Sequence, residues 1–465
     1  MGSGCGGVGS GTAPTVAARA MDALLDAGYE CYVVGGAARA ILLGTRADDW
    51  DVATSAPPSE VRRVIEWMGM KPIDKGEAHG TVGASDGGVT VEFTTFRAEG
   101  EYSDARHPDS VTFIGDIEGD LSRRDFTVNA IAMKWPGLEV TDPFRGVEDL
   151  RRGIIRAVGD AASRFAEDAL RMIRAVRFES EHGWRIEPRT RSAISRNAQR
   201  VRGISAERVR DEVSRVLVGP HAGRALADMV RLGLMDAVVP ELSESGGVGA
   251  GRLSGRTLME HAIMTADAVA PSLVLRLAAL LHDVAKPRCL GVDDRGRVHF
   301  HGHDALGAEM VGEILERLRY PKVVRDRVRV LVKEHMFFYS PEATDAALRR
   351  LVGRVGEEGV FDLLELRRAD VVASGGDAAP FLRQVEHRVR DILDRGQAVR
   401  GSGLAVNGED VMEVLDIGPG PRVGQVLQRL LDMVLDDPGL NQRDKLRSII
   451  AGMKPGGGDS RPGSS

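Results

Sequence analysis

Apolar residues near the start of the chain alternate between short strand-like runs and helical spacing. A β-branched run at residues 32–34 ends at Gly35-Gly36, and a helical pattern at residues 37–43 follows and ends at Gly44. A second strand is predicted to begin near Asp49. The pattern therefore predicts a strand, a glycine turn, a short helix and another strand in immediate succession.

The rest of the chain divides into a mixed first part and a helical second part. Amphipathic helices are predicted at residues 16–25 and 59–68, and two strand patterns meet at residues 86–88. Beyond residue 155 the apolar spacing is almost entirely helical, with a glycine-rich break at residues 246–251. The predicted divisions are a disordered tail at 1–15, an α+β head at 16–155, a helical neck at 156–245, a helical domain at 252–400, a helical tail at 401–452 and a disordered end at 453–465.

The composition is typical of a soluble globular protein with several domains. The chain has 465 residues, of which 43% are apolar and 28% are charged. No apolar run is long enough to span a membrane, and the Gly/Ser-rich N-terminus lacks the features of a signal peptide. Cys5, Cys31 and Cys289 are scattered and odd in number, which favours a reducing compartment over a disulfide framework. We therefore expect a cytoplasmic protein without a membrane partner.

The net charge of −6 conceals one strongly basic segment. Residues 151–225 contain 17 Arg and no Lys against 9 Asp plus Glu, a local charge of +8. A basic surface within an acidic protein favours selective binding of a polyanion, although a solvated charged helix surface is the alternative. The exclusive use of Arg favours phosphate or base contacts, since Arg presents a planar fork of donors.

Asp49 and Asp51 form a D-x-D pair at the predicted second strand. Alternation places both carboxylates on one face of the strand, about 6 to 7 Å apart at the backbone. Both can therefore reach a pair of divalent ions about 3.5 to 4 Å apart, which is the arrangement for two-metal phosphoryl transfer. Glu92, on the strand predicted at residues 89–96, is a candidate third carboxylate.

The glycine turn offers a complementary site for phosphate. Gly35 and Gly36 open a helix whose backbone N–H groups can hold a triphosphate, and Arg39 lies one turn into that helix. A plain turn followed by a solvated strand start is the alternative interpretation.

An acid and an arginine one turn apart recur on the helical pattern that begins the neck. Asp168 and Arg171 offer an acceptor and a donor fork, enough to pair with the edge of a base without a nucleic-acid template. Arg174 and Arg177 continue the spacing of three along the same helix. A surface salt bridge between Asp168 and Arg171 is the alternative.

Together these motifs resemble the class II nucleotidyltransferases of the polymerase-β superfamily, the tRNA CCA-adding enzymes and bacterial poly(A) polymerases. The resemblance rests on five stretches in this order: Gly35-Gly36 with Arg39, Asp49 with Asp51, Arg123-Arg124-Asp125, Asp142 to Gly146 with Asp149-Leu150, and Glu167-Asp168 with Arg171. It implies a polymerase-β-like mixed sheet with helices, followed by an all-α neck, body and tail. It also implies Mg²⁺ as cofactor and CTP, ATP and tRNA as partners.

The resemblance also assigns roles to single residues. Arg123 and Arg124 are expected to contact the triphosphate, Asp125 a ribose hydroxyl, and Asp168 with Arg171 the base of CTP or ATP. Nucleotide contacts are likewise expected for Asn129, Arg174 and Arg177.

Three further features qualify the resemblance. The family usually has Asp where Ala40 stands and often Gly where Arg145 stands. Residues 97–113 correspond to the mobile loop that relatives need for switching to ATP, which implies competence to add A.

Histidines and aspartates gather in the second half of the chain. His261, His282-Asp283, His301, His303, His335 and Asp370 fall on helical patterns within a short stretch. Imidazoles with carboxylates favour a mononuclear or binuclear site for Mg²⁺, Mn²⁺, Ni²⁺ or Fe. The series resembles the HD phosphohydrolase superfamily, and this resemblance implies His261, His282, Asp283 and Asp370 as its four core ligands. Residues 404–450 resemble the tail that CCA-adding enzymes use against the tRNA body.

The sequence therefore predicts a template-independent enzyme that adds nucleotides to the 3′ end of tRNA, and it leaves open whether the second metal site has an accessory phosphohydrolase activity. A poly(A) polymerase, or an enzyme that adds only A or only CC, shares the same motifs. A metal phosphohydrolase with an RNA-binding N-terminal half is a second alternative, and a non-enzymatic RNA-binding protein is a third.

Overall fold

The structure, a computed structural model, describes residues 15–47, 49–74, 80–86, 89–99, 111–247, 256–337, 344–377, 379–396 and 403–453. It falls into two compact units, Met1–Ser243 and Glu244–Ser465. The predicted tails at 1–14 and 454–465, the turn at 87–88, most of the loop at 97–113 and the break at 248–251 lie outside the described residues. None of the helices within the described ranges is long and apolar enough to span a membrane.

A seven-stranded mixed sheet forms the centre of the first unit. The strands of this unit are β1 Cys31–Val34, β2 Trp50–Thr54, β3 Ile73–Asp74, β4 Thr81–Asp86, β5 Val89–Thr95, β6 Arg97–Glu99, β7 Val111–Phe113, β8 Ala132–Lys134, β9 Glu139–Thr141, β10 Ile154–Ile155 and β11 Arg185–Ile186. The strand order in the large sheet is β3-β4-β5-β2-β1-β8-β9, in which only β2 and β5 run parallel. A separate two-stranded sheet pairs β6 with β7, and another pairs β10 with β11.

Strand β1 is buried on both faces, which explains its uninterrupted apolar run. Its residues Cys31 and Val33 belong to the core cluster that includes Leu24 and Ile65, whereas Tyr32 and Val34 belong to the cluster that includes Phe96. The central position of β1 fixes the start of the next helix, because the chain leaves the sheet at Gly35.

Helices surround the sheet and then form the rest of the first unit. They are α1 Thr15–Asp26, α2 Gly35–Leu43, α3 Pro58–Trp67, α4 Ile117–Ser122, α5 Gly146–Arg152, α6 Ala161–Glu167, α7 Leu170–His182, α8 Pro188–Asn197, α9 Ala206–Val218, α10 Ala222–Arg231, α11 Leu234–Val238 and α12 Pro240–Ser243. Short 3₁₀ turns cover Thr127–Asn129 and Ala198–Gly203.

One local prediction is wrong. The continuous helix predicted through Asp168 is broken, because Asp168 adopts an extended conformation (φ −142°, ψ 103°) between α6 and α7. Its Oδ1 accepts a hydrogen bond from the Leu170 backbone N–H at 3.0 Å, so Asp168 satisfies the first N–H of α7 from outside that helix.

The second unit is helical apart from one hairpin. Its helices are α13 Leu258–Ala268, α14 Leu273–Leu281, α15 His303–Arg317, α16 Lys322–Glu334, α17 Asp345–Val355, α18 Gly359–Ala373, α19 Ala379–Asp394, α20 Gly408–Leu415, α21 Pro421–Asp436 and α22 Arg443–Ala451. The hairpin pairs β12 Gly291–Val292 with β13 Val298–His299. The last three helices share their own apolar cluster around Leu430 and Leu446.

The predicted fold class is confirmed. A head with a mixed sheet and helices precedes a helical neck and body, as the change from strand-like to helical spacing indicated.

Candidate active site and metal centre

The sheet brings the acidic residues of β2 and β5 together at the start of α2. Val34 is paired with Asp51 across β1 and β2, and Asp51 is paired in turn with Glu92 across β2 and β5. Gly35 follows Val34 directly, with φ +61° in the left-handed region. A Cβ at position 35 would lie 2.8 Å from Asp51 Oδ2, so only glycine allows the carboxylate to approach the backbone there.

The carboxylates of Asp49, Asp51 and Glu92 form an acidic group that favours the binding of a cation. Burial raises the pKa of Asp51, the nearby charges of Glu92 and Asp49 raise it further, and Arg124 opposes the shift. Asp49 is exposed and lies one residue before β2, not on the strand as predicted, but it still contributes to this field. An all-oxygen set of clustered carboxylates fits Mg²⁺.

The N-terminus of α2 is open toward this acidic group. Its N-cap residue Val34 makes no side-chain cap, and a Cβ at Gly36 would meet no atom within 4 Å. The first N–H groups of α2 therefore have no side-chain acceptor and are suited to hold an anion. Ala40 does not disturb this turn, since α2 begins at Gly35 despite the departure from the family pattern.

Arg39 is held in place by two other predicted nucleotide-site elements. Its Nη1 donates to Asn129 Oδ1, and its guanidinium lies 5.1 Å from the centroid of the Phe178 ring. Burial lowers the pKa of Arg39, and Asp125 offsets part of that shift. The structure therefore brings Arg39 and Asn129 together.

Asp120 is a residue that sequence reasoning missed. Its side chain is 1% exposed and lies between the two predicted triphosphate arginines. Asp120 Oδ1 accepts from Arg123 Nε at 3.0 Å, and Oδ2 accepts from Arg124 Nη2 at 3.3 Å. The only signal in the sequence was the spacing of three and four from Asp120 to the arginines, which many surface helices share.

Asp125 is buried and has three donors close to its carboxylate. It accepts from Asn129 Nδ2 and from the Phe126 backbone N–H, both at 2.8 Å, and lies 3.0 Å from Arg174 Nη2. Burial opposes ionisation, but Arg174 and these hydrogen bonds lower the pKa of Asp125 below its usual value. Arg174 therefore reaches the Arg123-Arg124-Asp125 stretch as a partner of Asp125.

The predicted base-reading pair is separated in the structure. Asp168 Oδ2 accepts from Arg208 Nη2 at 2.7 Å, whereas Arg171 Nη1 donates to Glu167 at 2.8 Å. The alternative of a salt bridge between Asp168 and Arg171 is therefore not observed. Arg171 Nη2 also donates to the Arg123 carbonyl at 3.1 Å, which places it against the triphosphate arginines.

Arg177 departs from the shared helix face. It pairs with Glu212 of α9 at 3.0 Å and lies 4.7 Å from the centroid of the Phe178 ring. Of the predicted series, Arg171 and Arg174 reach residues 123–125, and Arg177 contacts α9 instead.

A second cluster of ligating side chains lies in the second unit. Ligand atoms of His261, His282 and Asp283 lie within 4.8 Å of one another, and so do those of Asp283, His303 and His335. Asp283 is shared by both groups, and Asp370 Oδ1 lies 3.1 Å from His261 Nε2. All four predicted core residues are therefore brought together, and His303 and His335 join them.

The imidazoles are oriented as metal ligands usually are. The Nδ1 atoms of His282, His303 and His335 lie 2.8, 2.7 and 2.6 Å from the carbonyl oxygens of Ala279, Phe300 and Val332. In a neutral imidazole, donation from Nδ1 leaves Nε2 unprotonated and available to a cation. Donors of this kind fit a transition metal.

Two cations flank the carboxylates of this cluster. Lys286 Nζ lies 2.6 Å from Asp283 Oδ2, and Arg367 Nη1 lies 2.6 Å from Asp370 Oδ2. His301 does not join, since its ring is exposed and stacks on His299 at 4.3 Å between centroids.

Comparison with known proteins gives consistent matches along the chain. Residues 31–156 match the Poly A polymerase head domain, residues 183–245 match the "Probable RNA and SrmB-binding site of polymerase A", and residues 256–373 match the HD domain. The chain is 35% identical to the CCA-adding enzyme of Geobacillus stearothermophilus, covering 90% of this chain and 92% of that protein. It is 36% identical to the A-adding tRNA nucleotidyltransferase of Deinococcus radiodurans, covering 86% and 90%.

A solved structure gives the same match at the level of the fold. The crystal structure of the Bacillus stearothermophilus CCA-adding enzyme in complex with CTP superposes with a TM-score of 0.71 at 32% identity. The match covers 93% of this chain and 95% of that one.

Proposed function

The chain belongs to the family of CCA-adding enzymes and related tRNA nucleotidyltransferases, and we propose that it adds CCA, or part of it, to the 3′ end of tRNA from CTP and ATP. The pairing of Asp51 with Glu92 beneath the open start of α2 carries this proposal. This pairing brings carboxylates that can bind cations close to a helix N-terminus that can bind phosphate.

Asp49, Asp51 and Glu92 would hold Mg²⁺. Ions bound there supply two effects, a lower pKa for the RNA 3′ hydroxyl and compensation of the charge on the leaving pyrophosphate. Gly35 keeps Asp51 close to the start of α2, so the acidic group and the phosphate site stay in register.

The remaining residues of the site each bind one part of the nucleotide. The α2 N–H groups with Arg123 and Arg124 bind the triphosphate, and Asp125 with Asn129 and Arg174 forms the ribose site. Asp168 and Arg171 face the base, each held from the other side by Arg208 or Glu167. Arg39 and Arg177 support this site through Phe178.

One assay tests the proposal and its nearest alternatives. Purified protein is incubated with tRNA that lacks CCA, ends in C or ends in CC, with each labelled nucleotide in turn. A CCA-adding enzyme extends all three and stops at A, whereas an A-only enzyme extends only the tRNA that ends in CC. Long A tracts would identify a poly(A) polymerase, and absence of incorporation with every tRNA would contradict the proposal.

A second activity is favoured by the histidine cluster. His261, His282, Asp283 and Asp370, with His303 and His335, would hold one or two of Mn²⁺, Ni²⁺ or Fe and hydrolyse a phosphoester. Lys286 is placed to bind the phosphate. Hydrolysis of a 2′,3′-cyclic nucleotide with these ions tests this activity, and absence of turnover with every ion would contradict it.

We further propose that the predicted divisions at 16–155, 156–245, 252–400 and 401–452 act as head, neck, body and tail, with the tail against the tRNA body. The apolar cluster shared by α20, α21 and α22 supports a separate tail.

A further inference from the structure

The arginines of the basic segment fall into two groups in the structure. Twelve of the 17 arginines at residues 151–225 form an ion pair with a carboxylate of the first unit. Most of these pairs join different elements, as where Arg191 of α8 meets the buried Asp228 of α10. Most of the local positive charge is therefore already neutralised.

The remaining arginines cluster on one stretch. The other five arginines of residues 151–225 are all exposed, and none of them has a carboxylate of the described residues within ion-pair distance; four of the five lie on β11, α8 and the 3₁₀ turn after it. These four are Arg185, Arg189, Arg196 and Arg200. Arg189 and Arg196 are seven residues apart and so lie two turns apart on one face of α8, about 10 Å along its axis.

A cleft of about 530 Å³ opens along that face of α8. Arg189, Ser192 and Arg196 line it from α8, and Asp160 and Ala161 line it from the start of α6. The acidic residues of the cleft are already engaged within the chain. Asp160 accepts from the Ser163 N–H at 2.8 Å, and Glu187 accepts from the Thr190 N–H at 2.7 Å and pairs with Arg156. The available charge in the cleft is therefore positive.

The cleft lies close to the proposed nucleotide site along the chain. Helix α6 begins at the cleft and ends at Glu167, next to Asp168. Its seven residues span about 10 Å, which is the length of a few stacked nucleotides.

We infer that Arg189 and Arg196 bind the phosphodiester backbone of the tRNA acceptor end, close behind the 3′ terminus that enters the active site. This inference rests on the proposed function for the choice of RNA. Two unpaired guanidinium groups at this spacing in a polar cleft suit the phosphates of one RNA strand. Contacts of this kind do not distinguish one base sequence from another.

The test measures the affinity of the full-length protein for an acceptor-stem minihelix that ends in CC. The double variant Arg189→Ala with Arg196→Ala is compared with wild type over a series of salt concentrations. Its matched control is Arg152→Ala with Arg202→Ala, which removes two exposed arginines that pair with Glu148 and Asp236. Unfolding midpoints of all three proteins verify that the folds are intact.

The slope of log affinity against log salt should fall by about 2 in the first variant and stay at the wild-type value in the control. The KM for CTP should not change, since neither residue touches the nucleotide site. Equal slopes for wild type and the first variant, or an equal change in both variants, would overturn the inference. Failure of wild type to extend tRNA would contradict the proposed function instead, because the binding slopes are measured without any nucleotide.

Discussion

At the scale of single residues, buried acids determine where the arginines of the nucleotide site point. Asp120 illustrates this, since one 1%-exposed carboxylate holds both Arg123 and Arg124, which are each 17% exposed. A flexible arginine pays conformational entropy to meet a phosphate, and an acid that fixes it beforehand lowers that cost. Asp120 is therefore a positioning residue that acts through its neighbours.

Asp120→Asn should raise the KM for CTP and ATP by about 10-fold, equivalent to about 1.4 kcal/mol, and change kcat less. Steady-state kinetics with saturating tRNA measure this split. Asp116→Asn is the control, because Asp116 carries the same charge on the same helix but only caps its start. An equal effect of both substitutions, or a loss confined to kcat, would contradict the positioning role.

Arg171 tests the assignment of the base site. Arg171→Ala should relax discrimination among the four nucleotides by about 1 to 3 kcal/mol, while the affinity for the triphosphate changes less. Incorporation of each nucleotide into tRNA ending in C or CC measures this. Arg164→Ala is the matched control, since Arg164 also pairs with Glu167. If Arg164→Ala relaxes discrimination equally, a loosened Glu167 is the cause; a uniform loss for all four nucleotides would contradict base readout.

At the scale of helices and strands, the sequence signals predicted the strand, glycine turn, helix and strand that the structure shows at residues 31–54. Strand spacing was sufficient to place Asp51 and Glu92 near each other, because register follows from the buried faces of β2 and β5. The break at Asp168 was not predictable, since apolar spacing continues across α6 and α7 and only the long-range partner Arg208 shows why it is stable. The same holds for nine of the twelve paired arginines, whose partners lie on other elements.

The neck contains a buried acid that should make its stability depend on pH. Glu179 of α7 is buried beside Asp228 and lies 2.8 Å from Arg224 of α10. Burial, followed by the charge of Asp228, raises the pKa of Glu179 to about 7. The folded state therefore binds a proton between pH 4.5 and about 7 that the unfolded state has lost, and stability falls as pH rises across this range.

Glu179→Gln should remove this dependence. The free energy of unfolding of wild type should decrease relative to that of the variant between pH 5 and 7, as measured by denaturant unfolding at several pH values. Asp211→Asn, a 66%-exposed control on α9, should keep the wild-type trend. A constant difference between Glu179→Gln and wild type across this range would show that Glu179 is ionised throughout.

At the scale of the whole molecule, two chemistries are divided between two units. The first unit offers carboxylates and backbone N–H groups, whereas the second offers imidazoles around Asp283. Oxygen ligands favour Mg²⁺ and imidazoles favour transition metals, so each centre has its own ion preference.

The two proposed activities should therefore be separable. His282→Ala with Asp283→Ala should abolish phosphoester hydrolysis and leave nucleotide addition largely unchanged. His303→Asn removes one ligand of the histidine cluster with little change of volume. This milder variant is tested in case the double variant fails to fold. Loss of nucleotide addition in a folded His303→Asn protein would contradict the division.

The most direct test of the central claim is single-turnover nucleotide addition by Asp51→Asn. The variant should bind tRNA with wild-type affinity yet add CTP or ATP about 10²- to 10³-fold more slowly, because a carboxylate that balances charge in the transition state is lost. Glu60→Gln, which removes a partly exposed acid of α3 in the same unit, should add nucleotides at the wild-type rate. Incorporation by Asp51→Asn at a rate close to wild type would contradict the assignment of the active site.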